Sequence, residues 1–192
     1  MHWMAKKIGT ELLKKNLIKF EEYSIYEYGL ELLFSSILTS FSIILLSCFC
    51  DSILWGILYL VITIPLRMTA GGYHADTYTR CFLISNLTYI SVSQITHCLL
   101  NLNLSTTSWL LILLSSTLFI LANAPVQNKH HKISETKLKK NKLYCRIYSL
   151  ADLILFSLLL DSPLLHPYIC LSIISVMLVA LLILPTQMRK EE

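Results

Sequence analysis

The sequence predicts an all-helical, polytopic integral membrane protein of about six transmembrane helices, preceded by an amphipathic N-terminal helix that lies in the membrane interface. Three observations carry this reading. Hydrophobic residues make up 55% of the chain and charged residues 15%, with a mean hydropathy of +0.61, outside the range of ordinary soluble domains. Six apolar runs are separated by polar links. All 16 Lys and Arg residues fall in alternate links, the pattern of a chain threaded through a bilayer with its basic side inside. The expected organisation is one membrane domain over residues 1–192, with 1–28 the amphipathic segment, 29–184 a six-span bundle and 185–192 a cytoplasmic tail.

Met1 to about Tyr23 has the period of a surface helix. Ile8, Leu12, Leu13, Leu17 and Phe20 cover about half its circumference, and Lys7, Glu11, Lys14, Lys15, Glu21 and Glu22 the rest. The first apolar run is about Gly29 to Cys50 and the second about Ser52 to Met68, with Asp51 at the turn between them. Pro65 is expected to weaken or end the second helix, because proline removes a donor and disfavours helix in the residue ahead of it. The third run, Cys81 to Leu100, is unusually polar: Ser85, Asn86, Thr88, Ser91, Ser93, Gln94, Thr96 and His97 all lie in it. Polar groups in hydrocarbon are costly unless they face a bundle interior, so this helix is expected to be surrounded by the others and to line any cavity, with interhelical hydrogen bonds as the plainer account.

The fourth run is Ser108 to Asn123, ending at Ala124-Pro125. A charged loop follows, and Ser134 to Arg146 within it holds no helix breaker. The fifth run, about Ile147 to Leu160, carries Asp152; the sixth, about Leu164 to Leu184, follows Asp161-Ser-Pro163. Some runs hold only about 14–17 residues, below the ~20 that a bilayer core asks for, so they recruit flanking residues or stand near the membrane normal. A four-span fold with two re-entrant runs competes with six. Charge bias decides for six: with the N-terminus inside, five basic residues precede the first span, two lie around the Arg67 loop, seven in the long loop and two at the C-terminal end, which accounts for all 16.

Composition also excludes functions. A formal charge of +4 is modest, and the lysines sit in loops, so nucleic acid is a poor partner. Of the six cysteines, Cys48, Cys50, Cys81, Cys98, Cys145 and Cys170, most lie in or beside apolar runs and none forms a CxxC pair, which argues against a disulfide framework or zinc site. His130-His131 has no carboxylate or cysteine at ligand spacing, so no metal and no cofactor is expected. The N-terminus does not have the apolar core and small-residue cleavage site of a signal peptide.

Chemistry concentrates in one stretch, Arg67-Met-Thr-Ala-Gly-Gly-Tyr-His-Ala-Asp-Thr-Tyr-Thr-Arg-Cys81. A free thiol, with a pKa of ~8.5, needs a base or a positive field to become a nucleophile. His74 titrates near neutrality and is the candidate base. On one straight helix His74 and Cys81 would stand ~10 Å apart along the axis, so the segment has to fold back, and Gly71-Gly72 is where it can. Cys81 then falls in the first turn of the next helix, where the macrodipole and Arg80 favour a thiolate. Backbone donors near Gly71-Gly72 or at the Cys81 helix start are candidates for an oxyanion site. Ser85, one turn beyond Cys81, and Asn86 are candidate orienting residues.

Arg67-x-x-Ala70-Gly71-Gly72-x-His74-Ala75, followed by Arg80-Cys81, resembles the signature of the accessory gene regulator B family, membrane cysteine endopeptidases that process precursors of cyclic quorum-sensing peptides in Gram-positive bacteria. The size, the apolar segments and the Ala124-Pro125-Val126 step are similar as well. The resemblance implies that His74 and Cys81 are the catalytic pair and that Arg67 and Gly72 are needed for activity. It implies a small precursor peptide as substrate and a cyclic thiolactone as product, formed when a cysteine of the precursor resolves the acyl-enzyme. The site then lies at the cytoplasmic face of the cell membrane. A homodimer is the simplest assembly that would cover such short spans. The alternative from another class is a non-enzymatic peptide exporter; it predicts related halves, and residues 100–192 hold no repeat of Gly-Gly-x-His.

Overall fold

The computed structural model describes residues 2–15, 17–50, 52–71, 77–126 and 134–188. Among the described residues the chain is helical throughout: α1 (His2–Lys14), α2 (Tyr23–Cys50), α3 (Ile53–Ala70), α4 (Tyr78–Asn101), α5 (Thr106–Asn123), α6 (Glu135–Leu159) and α7 (His166–Met188), with a 3₁₀ turn at Phe20–Glu22. Each apolar run predicted from the sequence lies on one of the six long helices, α2 to α7. Four helical segments are long and apolar enough to cross a membrane: Phe20–Cys50, Ile53–Ala70, Thr106–Asn123 and His166–Leu184. Among the described residues this is an all-helical architecture of the membrane type. α4 and α6 have 24 and 25 residues, each about 36 Å or more at 1.5 Å per residue. What keeps them out of that set is polarity: serines, threonines and amides along α4, and Lys137, Lys139, Lys140 and Lys142 in the first turns of α6.

Three expectations are corrected. The N-terminal amphipathic helix stops at Lys14 and does not reach Tyr23. Glu22 takes the Lys19 N–H through a carboxylate oxygen at 3.2 Å while its own N–H donates to the Lys19 carbonyl at 3.0 Å. This reciprocal cap starts a new helical segment and turns the chain out of α1. Leu17 and Phe20 are therefore exposed turn residues, and the buried contacts here come from Ala5 and Ile18.

Pro65 does not end α3, which continues to Ala70. One missing donor is tolerated where no water competes for the remaining backbone bonds. Thr69 reinforces the turn around the proline, its hydroxyl donating to the carbonyls of Pro65 at 2.8 Å and Leu66 at 3.1 Å.

The helix at the centre is α7, not the polar α4. α7 packs against α3, α4, α5 and α6, and every residue from Ile169 to Val176 is buried. Its two serines there return their hydroxyls to their own helix, Ser172 to Tyr168 O and Ser175 to Leu171 O, so α7 presents an apolar surface on every side. α4 buries Asn86, Ser93 and Thr96 and leaves Ser91, Gln94 and His97 exposed. Its polar groups serve as ties: Ser42 of α2 donates to Asn86 Oδ1 at 2.8 Å, and Thr88 shares a 3.0 Å hydrogen bond with the Tyr59 hydroxyl of α3. α2 and α3 meet closely at Gly56, where a Cβ would run into Ser47, the small-residue contact typical of membrane helices.

Candidate functional site

α3, α4, α5 and α6 all have an end at one pole of the bundle, and of the sequence-predicted site residues Arg67, Gly71, Arg80 and Cys81 lie there. α3 closes on Gly71. Its N–H donates to the Arg67 carbonyl at 3.1 Å, and it adopts φ 74°, ψ −150°, a conformation that favours glycine. Glycine is required for a second reason: a Cβ at this position would collide with the Val126 carbonyl oxygen. Val126, just past α5 and the cis Ala124–Pro125 bond, runs beside Gly71 as an isolated parallel bridge and donates its N–H to the Ala70 carbonyl at 2.9 Å. Arg67, in the last turn of α3, is half-buried, with its charge within electrostatic reach of Tyr59.

Gly72 and His74 lie outside the described residues, as does Asp51. The chain resumes at Thr77, the N-cap of α4. Its backbone is extended, at φ −132° and ψ 148°, and its hydroxyl oxygen accepts the Arg80 N–H at 3.3 Å. Tyr78, Thr79 and Arg80 form the first turn and Cys81 follows at once, its N–H taken by the Thr77 carbonyl at 2.9 Å. Helical side chains lean toward the N-terminus, so the Cys81 thiol projects back over the positive end of α4.

These hydrogen bonds narrow the oxyanion candidates. The Gly71 and Cys81 amides are already engaged, and so is that of Arg80. The Tyr78 and Thr79 amides are left without a partner inside the helix, as the opening amides of a helix are.

Cys81 differs from the other cysteines in position and access. Cys48, Cys50 and Cys98 are exposed but occupy the last turns of α2 and α4, at the opposite pole. Cys145 and Cys170 are buried. One cysteine–histidine contact escaped the sequence reading: Cys170 Sγ stands 3.7 Å from both ring nitrogens of His166, one helical turn earlier on α7. The four-residue spacing was its signal. With Cys170 at 0% exposure, no peptide carbonyl reaches that sulfur.

The start of α4 is also tied to α2. Tyr78 is hydrogen-bonded to the Glu31 carboxylate, and burial together with that acceptor pushes the phenol up to about 12, so it stays neutral and donates. Asn86 is held by Ser42 and donates its own amide to the Phe82 carbonyl at 2.8 Å; Ser85 offers its carbonyl to Thr88 at 2.9 Å. Among the described residues no group of three His, Cys, Asp or Glu side chains is placed to hold a metal.

A family model described as Accessory gene regulator B matches residues 4–184. Accessory gene regulator protein B of Staphylococcus aureus strain JH9 is 26% identical over 200 aligned positions that cover the whole of both chains, and the proteins of strains JH1 and Mu3 match equally. No solved structure matches. The motif around Gly71 and Cys81, the helical membrane architecture and the match over nearly the whole length agree: the chain belongs to the accessory gene regulator B family.

Proposed function

We propose that this protein is a membrane-embedded cysteine endopeptidase that cuts a small precursor peptide and passes the acyl group to a cysteine of that peptide, giving a cyclic thiolactone signal for quorum sensing. The observation that carries the reading is Cys81: an exposed thiol beside the first turn of a capped helix, joined by a short loop to the Gly71 cap. His74 is three Cα–Cα steps from Thr77, with Ala75 and Asp76 between them, a reach of at most ~11 Å when extended, so the base is confined to the neighbourhood of the thiol.

His74 takes the proton from Cys81, and the thiolate attacks the scissile carbonyl. The oxyanion of the tetrahedral intermediate is received by the Tyr78 and Thr79 amides and by the positive end of α4. Collapse breaks the peptide C–N bond, and the imidazolium returns its proton to the leaving amine. A thiol of the precursor, deprotonated by the same imidazole, then attacks the thioester, closes the ring and frees Cys81. Arg67 and Arg80 supply positive charge around the loop. Six spans put this pole, with the basic termini and the α6 lysines, at the cytoplasmic face of the cell membrane.

The test is chemical. Cys81→Ala and His74→Ala should each abolish cleavage with insertion unchanged, and the double variant should be no worse than either, since members of a unit that acts together do not add. A precursor whose internal cysteine is replaced by alanine should accumulate a hydroxylamine-sensitive thioester on Cys81. Cleavage at the wild-type rate in Cys81→Ala refutes the assignment.

A further inference from the structure

Two segments far apart in sequence meet at the root of the candidate loop. The Val126 N–H donates to the Ala70 carbonyl at 2.9 Å, and the two chains run parallel for one bridge. Ala70, Ala124 and Val126 are all buried, at 0%, 8% and 5% exposure. The Ala70 carbonyl is among the last of α3 and has no partner within its own helix, so the Val126 amide supplies one. The contact is also as close as backbones allow, since Gly71 has no room for a Cβ beside the Val126 carbonyl. α5, which ends just before this strap, packs against α6 and the central α7. The strap therefore ties the exit of α3 to the rigid part of the bundle, three residues ahead of His74.

We infer that Ala124-Pro125-Val126 is a positioning segment for the reaction, with the Val126 main chain fixing where the His74-bearing loop leaves the bundle relative to Cys81. This rests on the His74–Cys81 reading above. Val126 touches no reacting atom; it acts through Gly71 and the loop. A base has to stand within hydrogen-bonding distance of the thiol it deprotonates, and misplacement by about 1 Å can cost ~100-fold in rate. A base cannot be held to that tolerance if the point where its segment leaves the bundle shifts. The Val126 amide holds that point at Ala70 and Gly71, and the Thr77 cap holds the start of α4.

Val126→Pro deletes the donor, whereas Val126→Ala keeps it and trims only the side chain. The experiment uses the full chain in lipid nanodiscs with the five other cysteines replaced, so that alkylation reads Cys81 alone. Positioning predicts that Val126→Pro lowers kcat for precursor cleavage at least tenfold with KM within about twofold, and slows Cys81 alkylation at pH 7. Its thermal unfolding midpoint should stay close to that of the parent. Val126→Ala should retain parental kcat and alkylation rate.

A folded Val126→Pro with parental kcat, an effect on KM alone, or equal losses in the alanine and proline variants would overturn the inference. Gly71→Ala, which forces the same two chains apart from the α3 side, is read in the same way if Val126→Pro does not accumulate. If neither variant reaches a folded state the segment serves folding and not positioning, and the inference fails. Failure of the underlying reading looks different: Cys81→Ala would itself cleave normally.

Discussion

Thr77 is the residue through which the Cys81 helix can be loosened without touching the thiol. Thr77→Ala removes the oxygen that accepts the Arg80 N–H at 3.3 Å. Loss of an N-cap costs about 0.5–2 kcal/mol. At 3.3 Å this bond is longer than the usual 2.7–3.2 Å range, so the lower part applies, about 0.5–1 kcal/mol. That shifts the balance between formed and frayed first turn by about two- to fivefold. Helix ends are already marginal, and a frayed turn loses both the Tyr78 and Thr79 amides and the positive end that favours the thiolate. Precursor cleavage and Cys81 alkylation at pH 7 should therefore fall together by about two- to fivefold, against complete loss in Cys81→Ala.

Two further variants separate capping from charge. Thr77→Ser keeps the acceptor and should match the parent. Thr77→Asp keeps it as well but sets a negative charge next to the turn, which disfavours the thiolate, so Cys81 alkylation at pH 7 should slow although the helix is capped. The assay is iodoacetamide labelling at pH 7 in a chain whose only thiol is Cys81, run beside precursor cleavage in the same nanodiscs. Parental rates for Thr77→Ala in both measurements, or equal alkylation rates for Thr77→Ser and Thr77→Asp, would refute the role of the helix start.

Other outcomes follow from the packing and the topology. Gly56→Ala places a methyl group against Ser47, whose Cβ would stand at 2.8 Å. This should destabilise the α2–α3 contact by about 1–3 kcal/mol in a detergent unfolding titration, with part of the loss recovered by Ser47→Ala. In the six-span arrangement, single cysteines at positions 106 and 161 should react with an impermeant maleimide in intact cells and one at 137 only after lysis; strong labelling at 137 in intact cells sinks that arrangement.

Hydropathy made the helices legible because it is a property of every residue along a span, so six apolar runs survived errors at their edges. Ends and breaks depend on single hydrogen bonds. The surface helix stops at Lys14 and the reciprocal cap of Lys19 and Glu22 opens a new segment, although the apolar period carries on through Leu17 and Phe20. Pro65 read as a terminator by a rule made for helices in water, whereas α3 runs through it. The expectation for α4 weighed polar groups only by the cost of burying them; Ser42, Tyr59 and the helix's own carbonyls satisfy several, and Ser91, Gln94 and His97 face outward. α7 took the centre, because its buried stretch is apolar but for two serines that bond their own helix and so needs no polar partner from its neighbours. At the site, the place of Cys81 at the start of a helix was legible from composition and spacing. Its cap was less so, and the meeting of Val126 with Ala70 not at all, since a backbone contact between residues far apart in the chain leaves no mark in either side chain.

The central place of α7 bears on how the protein is made. Its neighbours α3, α4, α5 and α6 all precede it in the chain, so a ribosome delivers them to the membrane while the surface they will share is still missing. Until His166 and the residues after it arrive, α5 has α6 to pack against but lacks α7, whose His166 meets the edge of the buried Trp109. The nascent protein is thus an open ring that closes around its last piece. Chains interrupted before α7 should be recognised as unassembled and degraded, and a cell that shortens this protein should lose the whole bundle along with one helix.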